Sequence, residues 1–300
     1  MELKAWTYEE IRDYTYDGAD GVIETTGDEI SVQYVNDVVY AVMDETPLHL
    51  QILMPGTRNH PEPVLPCIVY VQGSAWFKQN VYRDLPQLSK LAARGFVVAV
   101  VEYRHSGIAK HPAPVIDAKN AVRFMRMHAE EYRINPDQIV MAGNSSGGHC
   151  AMFTGIIHND DSTDNIYPGV SAETKGIINY YGSTSFMAED SNPVTSNHCK
   201  ADSPEGLELG LGDMNEEMIR TMSVECNITD DLDIPPVLIL HGTKDRTVNT
   251  TCSTAVYESL KAHHKEASYY LIHGADHGGA EFFRDEVLDL VESFARKWIA

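Results

Sequence analysis

Ile139-Val140-Met141-Ala142-Gly143-Asn144-Ser145-Ser146-Gly147-Gly148-His149 is the stretch from which the rest of the chain can be read. Ile139-Val140-Met141 is a short, β-branched apolar run and reads as a strand. Gly143-Asn144-Ser145-Ser146-Gly147-Gly148 follows directly, and a helix-compatible run comes after it. In that setting Gly-x-Ser-x-Gly places a serine on a tight strand-to-helix turn, with a strained backbone and an exposed hydroxyl. The flanking positions must be glycine because a Cβ would collide there. The turn also sets the serine at a helix N-terminus, whose free N–H groups and partial positive charge favour a developing oxyanion. Taken alone, the hexapeptide also fits a Gly/Ser-rich loop or a phosphate-binding turn. No Lys follows the glycines, which excludes a P-loop.

Working outward, short apolar runs alternate with helical patterns. Cys67–Val71 and Phe96–Val101 are continuous and β-branched, as strands buried on both faces of a parallel sheet must be. Between them a helix is expected from Arg83 to Arg94, ended by Gly95. Further strands are expected at Gly176–Tyr181, Val237–Leu240 and Tyr269–Ile272, and helices at Val115–Tyr132, after Ser145 and at Ser253–His263. A last helix is expected over Ala280–Trp298, with Phe283, Val287, Leu290, Val291, Phe294 and Trp298 as its core stripe. Val35–Met43 and Leu48–Met54 read as two strands joined by Asp44-Glu45-Thr46-Pro47. This alternation implies an α/β fold, a mostly parallel sheet with helices on both faces, filling one domain over residues 1–300. Residues 1–45 are expected to be an N-terminal extension whose Trp6, Tyr8, Tyr14 and Tyr16 cover something. Residues 184–234 are polar and lack a strong strand; that is too long for a plain connection, so a cap or lid insertion is expected.

Composition narrows the function classes. The 300 residues carry 23 Lys+Arg against 44 Asp+Glu, a net charge of -21, with 43% hydrophobic content. Such a chain can bury a full core, and its charge disfavours nucleic-acid and membrane-surface partners. The acidity itself reads first as solubility. Met1-Glu2-Leu3-Lys4-Ala5-Trp6 has neither a basic n-region nor an apolar h-region, so no secretory signal is expected. Cys67, Cys150, Cys199, Cys226 and Cys252 are scattered and form no C-x-x-C pair, which suits reduced thiols and a cytoplasmic setting.

A serine hydroxyl needs a base, and the base an orienting acid. The run Val237–Leu240 leads into His241-Gly242-Thr243-Lys244-Asp245, and the run ending at Ile272 leads into His273-Gly274-Ala275-Asp276-His277-Gly278-Gly279. Loops after the carboxyl ends of parallel strands converge on one site, which places Asp245 and His277 beside Ser145. Asp276 is a weaker alternative to Asp245, since adjacent loop residues point in different directions. His273 and His277 share an i, i+4 spacing, but their glycines argue for a loop, so no metal is expected. His149 and His241 read as hydrogen-bonded structural residues, Cys150 as a small core residue, and Arg104 with Asp117 as a buried ion pair. After Val71, the small residues of Gln72-Gly73-Ser74-Ala75-Trp76 could bring backbone N–H groups to a substrate oxygen, with the Ser146 N–H completing the set.

Together these segments resemble the α/β-hydrolase superfamily, in particular its esterase/lipase branch of hormone-sensitive-lipase-like carboxylesterases and bacterial carbohydrate acetyl and feruloyl esterases. The likeness runs from about residue 48 to the C-terminus. It includes Glu102-Tyr103-Arg104, His111-Pro112-Ala113-Pro114, Arg123-Phe124-Met125-Arg126, Ile134-Asn135-Pro136-Asp137 and Gly147-Gly148-His149. The resemblance implies Ser145 as nucleophile, His277 as general base and acid, and Asp245 as its partner. It implies an oxyanion hole from the N–H groups of Ser74, Ala75 and Ser146, and a substrate-binding role for Trp76. Gln72-Gly73-Ser74-Ala75 stands where the family has His-Gly-Gly-Gly and departs from it at three positions. The expected activity is cofactor-free hydrolysis of a small-molecule ester with a short acyl group, acetyl first, and with acetylated sugars as the leading substrates. An oligopeptidase-like amidase and a non-catalytic binding protein are the rival readings. A homo-oligomer is compatible with all of them.

Overall fold

Strand side chains point alternately to opposite faces, and here each face meets its own core. In β3 (Leu65–Val71), Cys67, Val69 and Val71 enter one core, while Ile68 and Tyr70 enter the other. In β4 (Val97–Val101), Val97, Ala99 and Val101 are divided from Val98 and Val100 in the same way. The computed structural model describes residues 4–27, 29–56, 64–157, 164–187, 200, 202–210 and 215–300.

The remaining strands are β1 (Ser31–Met43), β2 (Thr46–Gly56), β5 (Ile134–Asn144), β6 (Ile177–Tyr180), β7 (Val237–Gly242) and β8 (Ala267–Ile272). They form one eight-stranded sheet in the order β1-β2-β4-β3-β5-β6-β7-β8. The β1–β2 and β2–β4 pairings are antiparallel, and every other pairing is parallel. One face is covered by α2 (Ala113–Met127), α3 (Ser146–Thr154) and α6 (Thr250–Ala262), and the other by α1 (Leu85–Ala92) and α7 (Asp285–Ile299). The order reverses between β4, β3 and β5, so the carboxyl ends of β3 and β5 open a crevice at the point where a doubly wound sheet binds ligands.

Three expectations change. Val35–Met43 is the strand expected there, but as part of β1 it belongs to the edge of the sheet, so the extension ends before Ser31 and not at residue 45. The aromatic residues before it lie largely exposed: Trp6, Tyr8, Tyr14 and Tyr16 are 61, 56, 88 and 66% exposed. Acidic neighbours such as Glu9, Glu10 and Asp13 leave that segment too little contiguous apolar surface to bury. The last helix is two pieces, a 3-10 turn over Ala280–Phe283 and then α7. Arg284 takes an extended conformation between them, which lets Phe282 and Phe283 reach the second core while α7 starts afresh.

The expected insertion contains α4 (Pro204–Leu209), α5 (Glu216–Met222) and a 3-10 turn at Val224–Asn227. Ser203 caps α4 and Asn215 caps α5 through their side-chain oxygens. Met222, Val224 and Ile228 join the first core, so this end of the insertion is built into the body. Residues 188–199, 201 and 211–214, and Cys199 with them, lie outside the described residues. Arg104 and Asp117 form the expected buried pair, Nη2 to Oδ1 at 2.8 Å. Among the described residues no helix is long and apolar enough to cross a membrane.

Candidate active site

Ser145 sits between β5 and α3 with φ 53° and ψ −128°, a conformation disfavoured for any residue with a Cβ. The chain can hold it because Gly147 lies against the Val71 carbonyl, where a Cβ would collide. The strain is further tied down by the Ser145 N–H donating to Tyr180 O at 3.1 Å. This geometry lifts the hydroxyl out of the sheet toward the loop that follows β8.

That loop carries His277 ahead of Gly278 and Gly279, both at positive φ. His277 Nε2 lies 2.9 Å from Ser145 Oγ, and Nδ1 lies 2.8 Å from Asp245 Oδ2. A carboxylate can only accept, so Nδ1 carries the hydrogen and Nε2 accepts from the serine. The Tyr181 ring stands edge-on to the imidazole at 4.8 Å and limits its tilt. Asp245, in the turn after β7, has no exposed side-chain surface. Its Oδ1 accepts from the Thr247 and Val248 amides, each at 2.8 Å. Burial works against its charge, but the His241 and His277 imidazoles more than offset that and hold the carboxyl well below the usual carboxylate range. The neighbouring Asp276 turns away: it accepts from Arg246 Nε at 2.6 Å and from the backbone N–H of His277 at 2.8 Å.

The oxyanion segment differs from expectation. Ala75 and Trp76 both adopt positive φ, 53° and 57°. The Ser74 N–H is not free; it donates to Ser146 Oγ at 3.0 Å, and the Trp76 N–H donates to the same oxygen at 3.3 Å. Tyr103 OH lies 2.8 Å from Ser74 Oγ and 3.4 Å from Ser146 Oγ, and Ser74 Oγ donates to Phe77 O at 2.5 Å. Among the described residues, the Ala75 and Ser146 amides have no hydrogen-bond acceptor, the latter at the start of α3 where no helical partner exists. Asn144 Oδ1 anchors the segment from below by accepting the Gly73 N–H at 2.7 Å.

Trp76 is a correction. Its ring is 1% exposed, packed edge-on against His149 at 5.2 Å, and it lies in the core instead of on the wall of the site. The left-handed backbone at Trp76 sends its side chain behind the loop. The wall is formed by Ala75, Ser145, Tyr181, His277, Arg83 and Asp84 among others, around a cavity of about 400 Å³. Arg83 grips Asp84 through Nε at 2.9 Å and Nη2 at 3.2 Å.

His149 is buried, with Nε2 on Met222 O at 2.9 Å; burial pushes its pKa down to about 3. Among the described residues no group of three or more His, Cys, Asp or Glu is placed to hold a metal. The hydroxyl of Ser146, Tyr103, His241 and the Arg83–Asp84 pair were not singled out as site residues from sequence. Tyr103 carried a signal as part of the Glu102-Tyr103-Arg104 segment, and His241 by its place four residues before Asp245. Chemically, a strained serine aligned on an imidazole, itself aligned on a buried carboxylate, can lose its proton as it attacks an electrophile.

The BD-FAE family model matches residues 50–260. Esterase LipC of Mycobacterium tuberculosis is 25% identical over 224 residues, which cover 74% of this chain and 55% of LipC. The chain spans about half the length of the curated relatives it matches. Among solved structures, a truncated carbohydrate esterase from gut microbiota superposes with a TM-score of 0.77 at 24% identity, covering 91% of this chain and 98% of that one. That likeness shows the fold. Esterase 2 of Thermogutta terrifontis superposes with a TM-score of 0.68 at 25% identity, covering 91% of this chain and 92% of its own.

Proposed function

The chain belongs to the BD-FAE family within the α/β-hydrolases, and from that premise we propose that it is a serine carboxylic-ester hydrolase for short acyl groups, acetyl first, borne by carbohydrates. The observation that carries this reading is the pair of contacts through His277, 2.9 Å to Ser145 Oγ and 2.8 Å to Asp245 Oδ2. Ser145 Oγ attacks the acyl carbonyl as His277 Nε2 takes its proton. The Ala75 and Ser146 amides receive the negative oxygen of the tetrahedral intermediate. His277 returns the proton to the leaving alcohol, the acyl-enzyme forms, and water repeats the sequence to release the acid.

The wall supports short acyl groups: Arg83, Asp84 and Thr247 bound the cavity where a long alkyl chain would need apolar surface. The same polar groups suit a hydroxylated alcohol, and a structural relative is named a carbohydrate esterase. We read the protein as cytoplasmic, acting on small-molecule esters without a cofactor, nucleic acid or membrane. The free thiols of Cys67, Cys150, Cys226 and Cys252 and the net charge of -21 support that setting.

The test is hydrolysis of p-nitrophenyl esters of increasing acyl length, and of acetylated xylosides, by wild type and Ser145→Ala. Wild type is expected to peak at acetyl to butyryl, and Ser145→Ala to lose at least about 10³-fold in kcat. Equal turnover by both proteins defeats the serine mechanism. A peak on long-chain esters defeats the substrate class alone.

A further inference from the structure

Behind the Asp245 carboxylate lies a second imidazole that proton transfer between Ser145 and His277 leaves unused. His241 is 0% exposed near the end of β7. Its Nε2 lies 3.1 Å from Asp245 Oδ2 and 3.1 Å from Val248 O, and its Nδ1 lies 2.7 Å from Ser253 Oγ on α6. Nε2 faces two groups that only accept, so it carries the ring hydrogen. Nδ1 then accepts from the Ser253 hydroxyl, and this tautomer gives each of these hydrogens an acceptor.

We propose that His241, held by Ser253, is a positioning residue that fixes the Asp245 oxygen on which His277 depends and moderates that oxygen's pull on the His277 hydrogen. The proposal rests on the serine-hydrolase reading. The Thr247 and Val248 amides pin Oδ1 alone, which leaves the carboxylate able to swing about that oxygen. His241 pins Oδ2 and removes the swing. Because Oδ2 also receives His277 Nδ1 at 2.8 Å, its charge is shared between two N–H donors. Without His241 all of that charge would act on His277 and favour its protonated form, so activity would begin at higher pH.

Among the described residues no other charged group takes that place. Asp276 is paired with Arg246, and Arg83 with Asp84 across the cavity. The Tyr181 hydroxyl accepts from Asn144 Nδ2, and the Cys252 thiol donates to the Ser185 carbonyl.

The experiment measures kcat/KM against pH with p-nitrophenyl acetate for wild type, His241→Leu, His241→Gln and Ser253→Ala, with thermal melts of each. His241→Leu should move the acid limb up by about half to one pH unit and lower kcat about tenfold, with KM within about twofold. His241→Gln returns an N–H to Oδ2 and should bring the limb back to within about 0.2 of wild type. Ser253→Ala weakens the donor and should move the limb up by a few tenths. An unmoved limb in His241→Leu, or an equal shift in His241→Gln, overturns the proposal. If His241→Leu does not fold, a wild-type limb in Ser253→Ala overturns it instead. Labelling by a fluorophosphonate keeps the two readings apart. An unlabelled wild type defeats both, whereas a labelled wild type with unmoved limbs defeats the role of His241 alone.

Discussion

Ser146 acts in two directions at once, with its amide at the start of α3 beside Ser145 and its hydroxyl beneath the oxyanion loop. The loop carries side chains at Ser74 and Ala75, and the Ser146, Tyr103 and Ser74 hydroxyls hold it in a backbone conformation glycine would adopt unaided. Ser146→Ala removes the acceptor of two amides. We expect kcat to fall about 10- to 100-fold with little change in KM, and the folded state to lose about 1–3 kcal/mol in urea titration. A rise in kcat would instead mean that the released Ser74 amide is a useful third donor. Gly73→Ala should be more damaging, because its Cβ would meet the Asn144 carbonyl and the Ser145 Cβ; single-turnover acylation rates measure that loss. The meeting of Ser145, Asp245 and His277 was legible from sequence because each follows a recognisable strand and the topology brings such loops together. The hydroxyl network was not, since Ser74, Tyr103 and Ser146 lie far apart in the chain and only packing makes them neighbours. His241 was read as a structural residue, and only its distance to Asp245 suggests a larger part.

Elements rather than single residues meet at Arg104, just after β4. Its guanidinium holds Asp117 of α2 at 2.8 Å, Asp44 of the β1–β2 turn at 2.8 Å and Asp164 at 3.0 Å. Arg104 and Asp117 are almost completely buried, whereas Asp44 is exposed, so the cluster ties an antiparallel hairpin to the parallel part of the sheet from a buried cation. Arg104→Leu would leave the Asp117 carboxylate buried without its cation, at a cost of about 3–5 kcal/mol. The double variant with Asp117→Leu should recover most of that loss. Urea midpoints of wild type, Arg104→Leu, Asp117→Leu and the double variant check both statements, and an additive double variant would show that the pair contributes nothing as a pair. This contact was anticipated, as were the strands, because runs buried on both faces of the sheet read as unbroken apolar segments. The break before α7 was not. Apolar spacing continues through Phe282 and Phe283, and only the dihedral angles at Gly279 and Arg284 end one piece and begin the next.

For the whole molecule the dominant quantity is the net charge of -21, which acts over tens of ångströms at low salt and only about 8 Å at physiological ionic strength. Among the described residues on the cavity wall the cation Arg83 is matched by Asp84, so the site offers little local attraction to offset that field. An ester carrying a carboxylate should therefore be repelled on approach, and a neutral ester should not. Raising ionic strength from about 0.02 to 0.3 M should lower KM for an anionic acetyl ester about two- to fivefold and leave KM for a neutral acetyl sugar unchanged. Initial rates on the two substrates across a salt series decide the matter. If KM for the anionic ester rises with salt instead, the cavity is locally positive despite Asp84, and Arg83→Ala should then abolish the dependence. In that event Arg83 would select acidic alcohols, and the preference for neutral sugars would give way to acylated uronic acids.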